Sequence, residues 1–319
     1  MINLIFMEPV YKDYIWGGNK LKDELNKNTP YDRTAESWEI SANNNGDCKI
    51  INEEYNGKTL STLFEDNTLK KEIFGTKCVN MNEFPILIKF IDAKDNLSIQ
   101  VHPDDEYAQA IGKPNGKNEM WYIVDCEDDS KLIGGLNEKL NNKELEYAIN
   151  NNEIKKYLNY IDVKKGDSIY IPAGTLHAIL KNNFICEIQQ NSDTTYRVYD
   201  WDRVDKSGVP RQLHKIEASK TIKTDIKPEV KHTDNNEIYQ NIVRNQYFEV
   251  YKINCKDNFE DFTNNESFYT INVVSGKGTI ETEFEKVEIK TGDSFIIPAT
   301  LGRYKISGKI ELLKSNVVW

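Results

Sequence analysis

The order of apolar and polar positions along this chain is that of a β protein. Two-residue alternation marks Glu36-Ser37-Trp38-Glu39-Ile40-Ser41, with Ser37, Glu39 and Ser41 on one face and Trp38 and Ile40 on the other, the pattern of a half-buried strand. Apolar and β-branched runs predict further strands at 84–93, 119–125, 184–190 and 195–201, separated by Gly, Pro and Asn turns, and in the last of them Arg197 and Tyr199 share a face. Helical spacing is scarcer. It predicts helices over 61–74, 104–111 (Pro103 suiting a first helical position), 136–158 (on Leu140, Leu145, Ala148 and Ile154) and 213–220. Short strands resume after about residue 205, with no low-complexity stretch and no obvious linker.

One stretch combines this alternation with chemistry: Leu97-Ser98-Ile99-Gln100-Val101-His102-Pro103. Period two places Ser98, Gln100 and His102 on one face and Leu97, Ile99 and Val101 behind them. An amide and an imidazole side by side suit half of a divalent-metal site, and an edge strand with one wet face suits the same residues. Glu119 opens a strand, where a carboxylate entering a sheet needs a partner. His177 follows the turn Pro172-Ala173-Gly174-Thr175 and supplies a fourth donor. Gln100, His102, Glu119 and His177 would make a two-nitrogen, two-oxygen set open to zinc, iron or manganese, with zinc favoured if the site is tetrahedral and keeps a position for water or substrate. Trp16 and Trp38 read as core or rim packing rather than ligand stacking.

The second half echoes the first. Gly166-Asp167-Ser168-Ile169-Tyr170-Ile171-Pro172-Ala173 matches Gly292-Asp293-Ser294-Phe295-Ile296-Ile297-Pro298-Ala299 at six of eight positions with an offset of 126, too close for chance. In that register His177 meets Arg303, so the copy keeps the scaffold and loses the metal-type side chain. The period is too long for a solenoid and argues for duplicated barrels or jelly rolls. The expected fold is therefore mainly β, two jelly-roll barrels with a few short helices: residues 1–205 carry the metal set, 206–319 form the degenerate copy, and N-terminal strands are shared with the second barrel.

The net charge of −10 and pI near 5.1 leave no bulk positive field for nucleic acid, so an anionic ligand needs a locally basic pocket. No apolar run approaches a membrane span, and the N-terminus has no basic leader, so no membrane partner and no signal peptide are expected. Five scattered cysteines without a Cys-x-x-Cys pair suit reduced thiols and a cytoplasmic location.

The segment Gly-x5-Pro-x-Gly-x2-His ending at His177 resembles the second signature of the cupin superfamily, with Gln100 replacing the first histidine of the usual His-x-His…Glu signature. Gln-Val-His-Pro, Lys117-x-Glu119, Pro-Ala-Gly-Thr-Leu-His-Ala and Ser192-Asp193-x-x-x-Arg197 together resemble type I mannose-6-phosphate isomerase in its short bacterial form. The motifs span about 98–203, and the echo carries the likeness onward. Gly116 departs from the long forms, which carry a histidine before the lysine, so no relay through that position is carried over.

The resemblance implies a zinc-dependent isomerase interconverting mannose 6-phosphate and fructose 6-phosphate through an enediol. It implies one Zn2+ per chain on Gln100, His102, Glu119 and His177, with Arg197, Lys117 and Asp193 catalytic and Ser98, Lys117 and Arg197 at the substrate. The partner is a small sugar phosphate; oligomeric state is left open. Arg203, Arg211 and Lys215 follow closely as candidates for the phosphate, and His214 and His232 read as surface residues. An iron or manganese cupin oxygenase and a non-catalytic sugar-binding cupin are the competing readings. Gln100, Lys117 and Arg197 weigh against the first, and the retention of Arg197 and all four ligands against the second.

Overall fold

In the computed structural model, which describes residues 3–205 and 207–318, antiparallel strands build two facing sheets and then one broad sheet. The first sheet has seven strands in the order Val230–Lys231, Ser168–Ile171, Glu119–Cys126, Asn183–Gln190, Ile86–Ala93, Glu36–Ile40 and Val10–Lys12. The facing sheet has five, Leu158–Asp162, Lys131–Leu136, His177–Ile179, Ile99–Val101 and Tyr196–Tyr199. The third, nine-stranded sheet is centred on Tyr269–Thr282 and Arg303–Val317 and takes Ile5–Glu8 and Lys49–Ile50 along one side. The sheets fit the expected jelly rolls, but each ends in open edges, so they form sandwiches rather than closed barrels. The echo holds: Ser168–Ile171 and Ser294–Ile297 are equivalent strands, and His177 and Arg303 each open the next one.

Four apolar clusters follow from this layering. Trp121, Ile123, Ile91, Ile185, Ile169, Leu132 and Ile179 fill the space between the seven- and five-stranded sheets. Ile99, Val101, Ala178 and Val198 face the other way, onto the helices Asn142–Asn150 and Lys215–Thr221. The far side of the seven-stranded sheet packs on the helical segment after Thr59 and on the nine-stranded sheet. There the rings of Phe64, Phe74, Phe84 and Phe268 meet at centroid distances of 5.1 to 5.6 Å, contacts worth about 0.5–1.5 kcal/mol per pair beyond area burial. Ile253, Ile271, Phe295 and Leu312 form the core of the nine-stranded unit.

Several local expectations are corrected. The region 136–158 is one helix only over Asn142–Asn150, where Asn141 and Glu144 form a capping box; Leu136 ends one strand and Leu158 begins another. Leu140, Leu145, Ala148 and Ile154 do share one cluster, but they reach it from a loop, a helix and a 3-10 turn. The helix expected over 61–74 is broken at Asp66, whose side chain caps a new turn by accepting from Thr68 and Leu69. Pro103 precedes the helix Asp105–Ala110, which Asp104 caps. Strand Glu36–Ile40 is buried on both faces, because the second face packs on the nine-stranded unit; Glu39 there meets Lys27 at 2.6 Å and accepts from Ser37. A bulge between Arg197 and Tyr199 turns Tyr199 into the outer cluster, so the two do not share a face. Leu97 precedes strand Ile99–Val101 and packs with the inner cluster, not with Ile99 and Val101.

Candidate active site

Antiparallel register assembles the site across two sheets. On the five-stranded sheet Arg197 pairs with Gln100 and Gln100 with His177, one continuous row. On the facing sheet Trp121 pairs with Glu187, Glu187 with Lys89, and Lys89 with Trp38, while Glu119 lies two residues before Trp121 on the same face. His102, just past its strand, and Lys117, in the loop before Glu119, complete the cluster.

The donor atoms of His102, Glu119 and His177 all lie within 4.8 Å of one another. Glu119 Oε2 is 3.4 Å from His102 Nε2, and Oε1 is 3.3 Å from His177 Nε2. Each Nδ1 is engaged by a carbonyl, Thr194 O at 2.9 Å for His102 and Thr175 O at 2.8 Å for His177. A neutral ring donates from Nδ1 in that arrangement and turns the Nε2 lone pair toward the cluster. Gln100 brings its amide to the same point, Nε2 at 3.5 Å from His177 Nε2, and its Oε1 accepts from Ser98 Oγ. Holding a cation through that oxygen requires the amide to turn over.

All three side chains of the cluster are about 1% exposed, and neither carboxylate oxygen of Glu119 has a hydrogen bond of acceptable geometry, although Lys117 Nζ lies 3.0 Å from Oε2. An orphaned buried carboxylate between two imidazole lone pairs fits a divalent cation. Burial, then Lys117 and His177, hold His102 far below the usual imidazole range. Burial lowers His177 to about 4. Both rings are therefore neutral near pH 7 and able to ligate. Burial raises Glu119 against the pull of Lys117, and the neighbouring Glu187 raises it further.

Beyond the cluster opens a cleft of about 380 Å3 lined by Tyr14, Trp16, Glu36, Trp38, Asn45, Lys89, Ser98, Gln100, Lys117, Glu187, Asp193, Arg197 and Arg211, among others. Arg197 is held at its wall by Ser98 Oγ (3.3 Å) and Gln212 O (2.9 Å). Arg211 is fixed by Asp200, which also takes Arg203 at 2.7 Å. Trp16 and Trp38 are buried, as expected, and both also line the cleft.

Other expected residues fall differently. Asp193 is exposed at the rim and accepts from Asn45, and it makes no hydrogen bond or ion pair with Arg197, which Ser98 and Gln212 orient. Lys215 points away, its Nζ on Asn150 O and Asn152 Oδ1, so it is not a phosphate contact. Arg203 stands behind Arg211 on Asp200 and Asp95. His214 is more than a surface residue: its Nδ1 accepts from Arg197 N at 3.2 Å and its own N–H donates to Arg197 O at 2.8 Å, which fixes the arginine's backbone. His232 is exposed and paired with Asp167.

Sequence reasoning missed Lys89, Glu187 and Glu36, a buried charge row beside the cluster. Lys89 Nζ lies 3.1 Å from Glu187 Oε1 and 3.8 Å from Glu36 Oε2, and Trp121 Nε1 donates to Glu187 at 2.9 Å. The signal was a lone lysine inside Ile86-Leu87-Ile88-Lys89-Phe90-Ile91 and a lone glutamate between Cys186 and Ile188, charges that a two-sided apolar strand tolerates only when paired.

A family model described as the type I phosphomannose isomerase catalytic domain matches residues 4–127, and one described as the mannose-6-phosphate isomerase cupin domain matches 238–317. Mannose-6-phosphate isomerase ManA of Bacillus subtilis is 37% identical over 319 residues, covering 98% of each chain. The chain belongs to the type I phosphomannose isomerase family. It is an enzyme with mannose-6-phosphate isomerase activity, like its relatives. The mannose-6-phosphate isomerase of Streptococcus mutans is 35% identical over 321 residues and 99% of each chain. A crystal structure of mannose 6-phosphate isomerase from Bacillus subtilis superposes with a TM-score of 0.87 at 36% identity, over 98% of this chain and 99% of that one. A mannose 6-phosphate isomerase structure described as holo and zinc bound shares the fold at 16% identity, with a TM-score of 0.79 over 100% of each chain.

Proposed function

We propose that Gln100, His102, Glu119 and His177 hold one zinc ion per chain and that the cleft beyond them interconverts mannose 6-phosphate and fructose 6-phosphate through an enediol. The observation that carries this reading is Glu119, whose two buried carboxylate oxygens lack hydrogen bonds between imidazoles that both turn Nε2 inward. Two nitrogens and two oxygens suit zinc, the ion named for the distant holo structure that shares the fold. When bound, such an ion supplies Lewis-acid polarisation of the sugar's carbonyl and hydroxyl oxygens.

The protein groups divide the remaining work. Moving a proton between C1 and C2 creates negative charge on the adjoining oxygens, and Arg197, permanently charged and held by Ser98 and Gln212, offers fixed donors to it. Lys117 Nζ sits between the cluster and the cleft, 3.1 Å from His102 Nε2, where it orients a sugar hydroxyl and exchanges a proton with it. Ser98 packs beneath the same hydroxyls, and Asp193 contacts the sugar from the rim. Arg211, locked by Asp200, receives the phosphate. Counting Glu119, the four basic and four acidic side chains of the cleft (Lys89, Lys117, Arg197, Arg211; Glu36, Glu119, Glu187, Asp193) cancel. A divalent cation then leaves an excess of two positive charges, matched to a dianionic phosphate.

We assign residues 1–205 to the metal-binding unit and 206–319 to the second. The first lends Ile5–Glu8 and Lys49–Ile50 to the nine-stranded sheet and receives Lys215–Thr221 and Val230–Lys231 in return. Five free cysteines suit a reducing compartment, and no helix among the described residues is long and apolar enough to cross a membrane; a cytoplasmic location follows as a proposal.

The test is metal analysis of the purified protein beside a coupled assay for fructose 6-phosphate, with Arg197→Ala alongside. Zinc bound and turnover lost in Arg197→Ala supports the assignment. An active Arg197→Ala enzyme removes Arg197 from its role, and zinc-loaded wild type without turnover removes the reading.

A further inference from the structure

The loop that delivers Lys117 to the cleft is fastened at every residue on either side of it. Lys117 N donates to Pro103 O at 2.9 Å. Gly116 N donates to Asp105 Oδ1 at 2.7 Å, and Asn118 N and Nδ2 donate to Gln190 Oε1 at 2.9 and 2.8 Å. Gln190 in turn donates from Nε2 to the same Asp105 Oδ1 at 3.1 Å. Asp105 is thus the node that joins both flanks of Lys117. Its carboxylate is not spent on capping its own helix, which Asp104 caps through Tyr107 N.

The other oxygen of Asp105 goes to the second unit. Tyr247 OH donates to Asp105 Oδ2 at 2.6 Å. Tyr247 stands immediately before the strand Phe248–Cys255 of the nine-stranded sheet. It is set there by Asn245 Oδ1, which accepts from Tyr247 N (2.7 Å) and Phe248 N (2.9 Å), and by Val318 N donating to its carbonyl. Burial, and then Asp105, raise the phenol well above its ordinary range, so it remains a donor at working pH. The fit around the loop is close: a Cβ on Gly116 would lie 2.5 Å from the Asp104 carbonyl carbon.

We propose that Tyr247 positions Lys117 by clamping Asp105, so that the nine-stranded unit takes part in the isomerase reaction as a positioning element. This rests on the reading of Lys117 as a group that acts on substrate. Among the described residues no strand of the nine-stranded sheet lines the cleft, so a contribution of that sheet to turnover has to pass through such a contact. A phenol–carboxylate bond between units sets the lysine-bearing loop more narrowly than apolar packing does, because hydrogen bonds are directional. Displacements of an ångström at a reacting group cost up to about a hundredfold in rate.

The experiment is steady-state kinetics on the zinc-loaded full chain, with zinc content and urea midpoint measured for each variant. Tyr247→Phe, which removes one hydroxyl, is expected to lower kcat about tenfold while KM stays within about twofold and zinc remains bound. Asp105→Ala is expected to lose more, and Tyr247→Phe added to it to lose nothing further, since both act through one contact. Asp105→Asn keeps an acceptor for Gly116 and a partner for the phenol and is expected to recover most of kcat. Lys117→Met separates the two readings. A Lys117→Met enzyme with normal turnover overturns the role of Lys117 itself. An inactive Lys117→Met enzyme beside a Tyr247→Phe enzyme of unchanged kcat overturns the clamp and leaves Lys117 in place. Should Tyr247→Phe not fold, the contrast between Asp105→Ala and Asp105→Asn decides: equal kcat in the two overturns the clamp.

Discussion

Lys89→Met tests the buried charge row beside the cluster. Lys89 is 8% exposed and reaches Glu187 at 3.1 Å and Glu36 at 3.8 Å. At an effective dielectric near 20 the shorter contact alone is worth about 5 kcal/mol before desolvation is subtracted. Burial opposes a charged lysine, yet Glu187 and Glu36 together raise its pKa above the ordinary value. Burial likewise opposes a charged Glu187, and Lys89 and Lys117 outweigh it. Removing one member of such a pair costs about 3–5 kcal/mol, chiefly because the remaining charge is stranded. Trp121 Nε1 at 2.9 Å and Lys117 at 4.0 Å still serve Glu187, so the lower end, about 3 kcal/mol, is expected. Lys117 would be drawn toward Glu187 and away from Glu119, lowering kcat as well. Urea unfolding followed by tryptophan fluorescence reads the stability term, with the coupled assay for activity. Lys89→Met/Glu187→Gln should recover at least half of the stability loss, because both charges leave together. A Lys89→Met midpoint equal to wild type would refute the reasoning, since it would mean that the row is solvated.

Acid should destabilise the metal-free protein through its buried imidazoles. His177 titrates at about 4 in the folded chain and near 6.5 unfolded, so the unfolded chain binds the proton first; its contribution is intact above 6.5 and shrinks toward the folded value, about 3 kcal/mol over the window. His102 shifts in the same direction and adds to the loss. Burial raises Glu119, which takes up a proton in the folded state over the same window and opposes this loss, so urea midpoints at pH 7.5 and 5 are compared in Glu119→Gln, where equal values would contradict it. Arg211→Ala should raise KM for the phosphorylated sugar about tenfold or more, whereas Lys215→Ala, bonded to Asn150 and Asn152, should leave KM unchanged. Gly116→Ala forces a Cβ to 2.5 Å from Asp104 and should cost about 1–3 kcal/mol, with a lower kcat, read by urea midpoint and steady-state kinetics.

The strands and the side chains proposed for the metal could be read from the sequence because both are local patterns: period two places Gln100, and the echo of the strand-turn-strand unit places His177 opposite Arg303. What could not be read depended on what covers each face. Ser37 and Glu39 alternate like solvent-facing residues, yet the nine-stranded unit buries them and Lys27 arrives to pair Glu39. Tyr199 changed sides through a single bulge, which period two cannot anticipate. Leu140 to Ile154 look like one helix because their targets share one cluster, although the backbone changes form twice on the way. Lys89 and Glu187 sit almost a hundred residues apart and become partners only through strand pairing. Gly116 looked like the loss of a family histidine; in the fold it is a place where backbone meets backbone.

The most direct measurement is zinc titration of chelator-stripped protein, with bound metal and fructose 6-phosphate formation followed together. One zinc per chain should restore turnover in step with occupancy, and Glu119→Gln and His177→Ala should lose stoichiometric binding. Full turnover by the stripped protein, or zinc binding that survives both substitutions, would contradict the site described above.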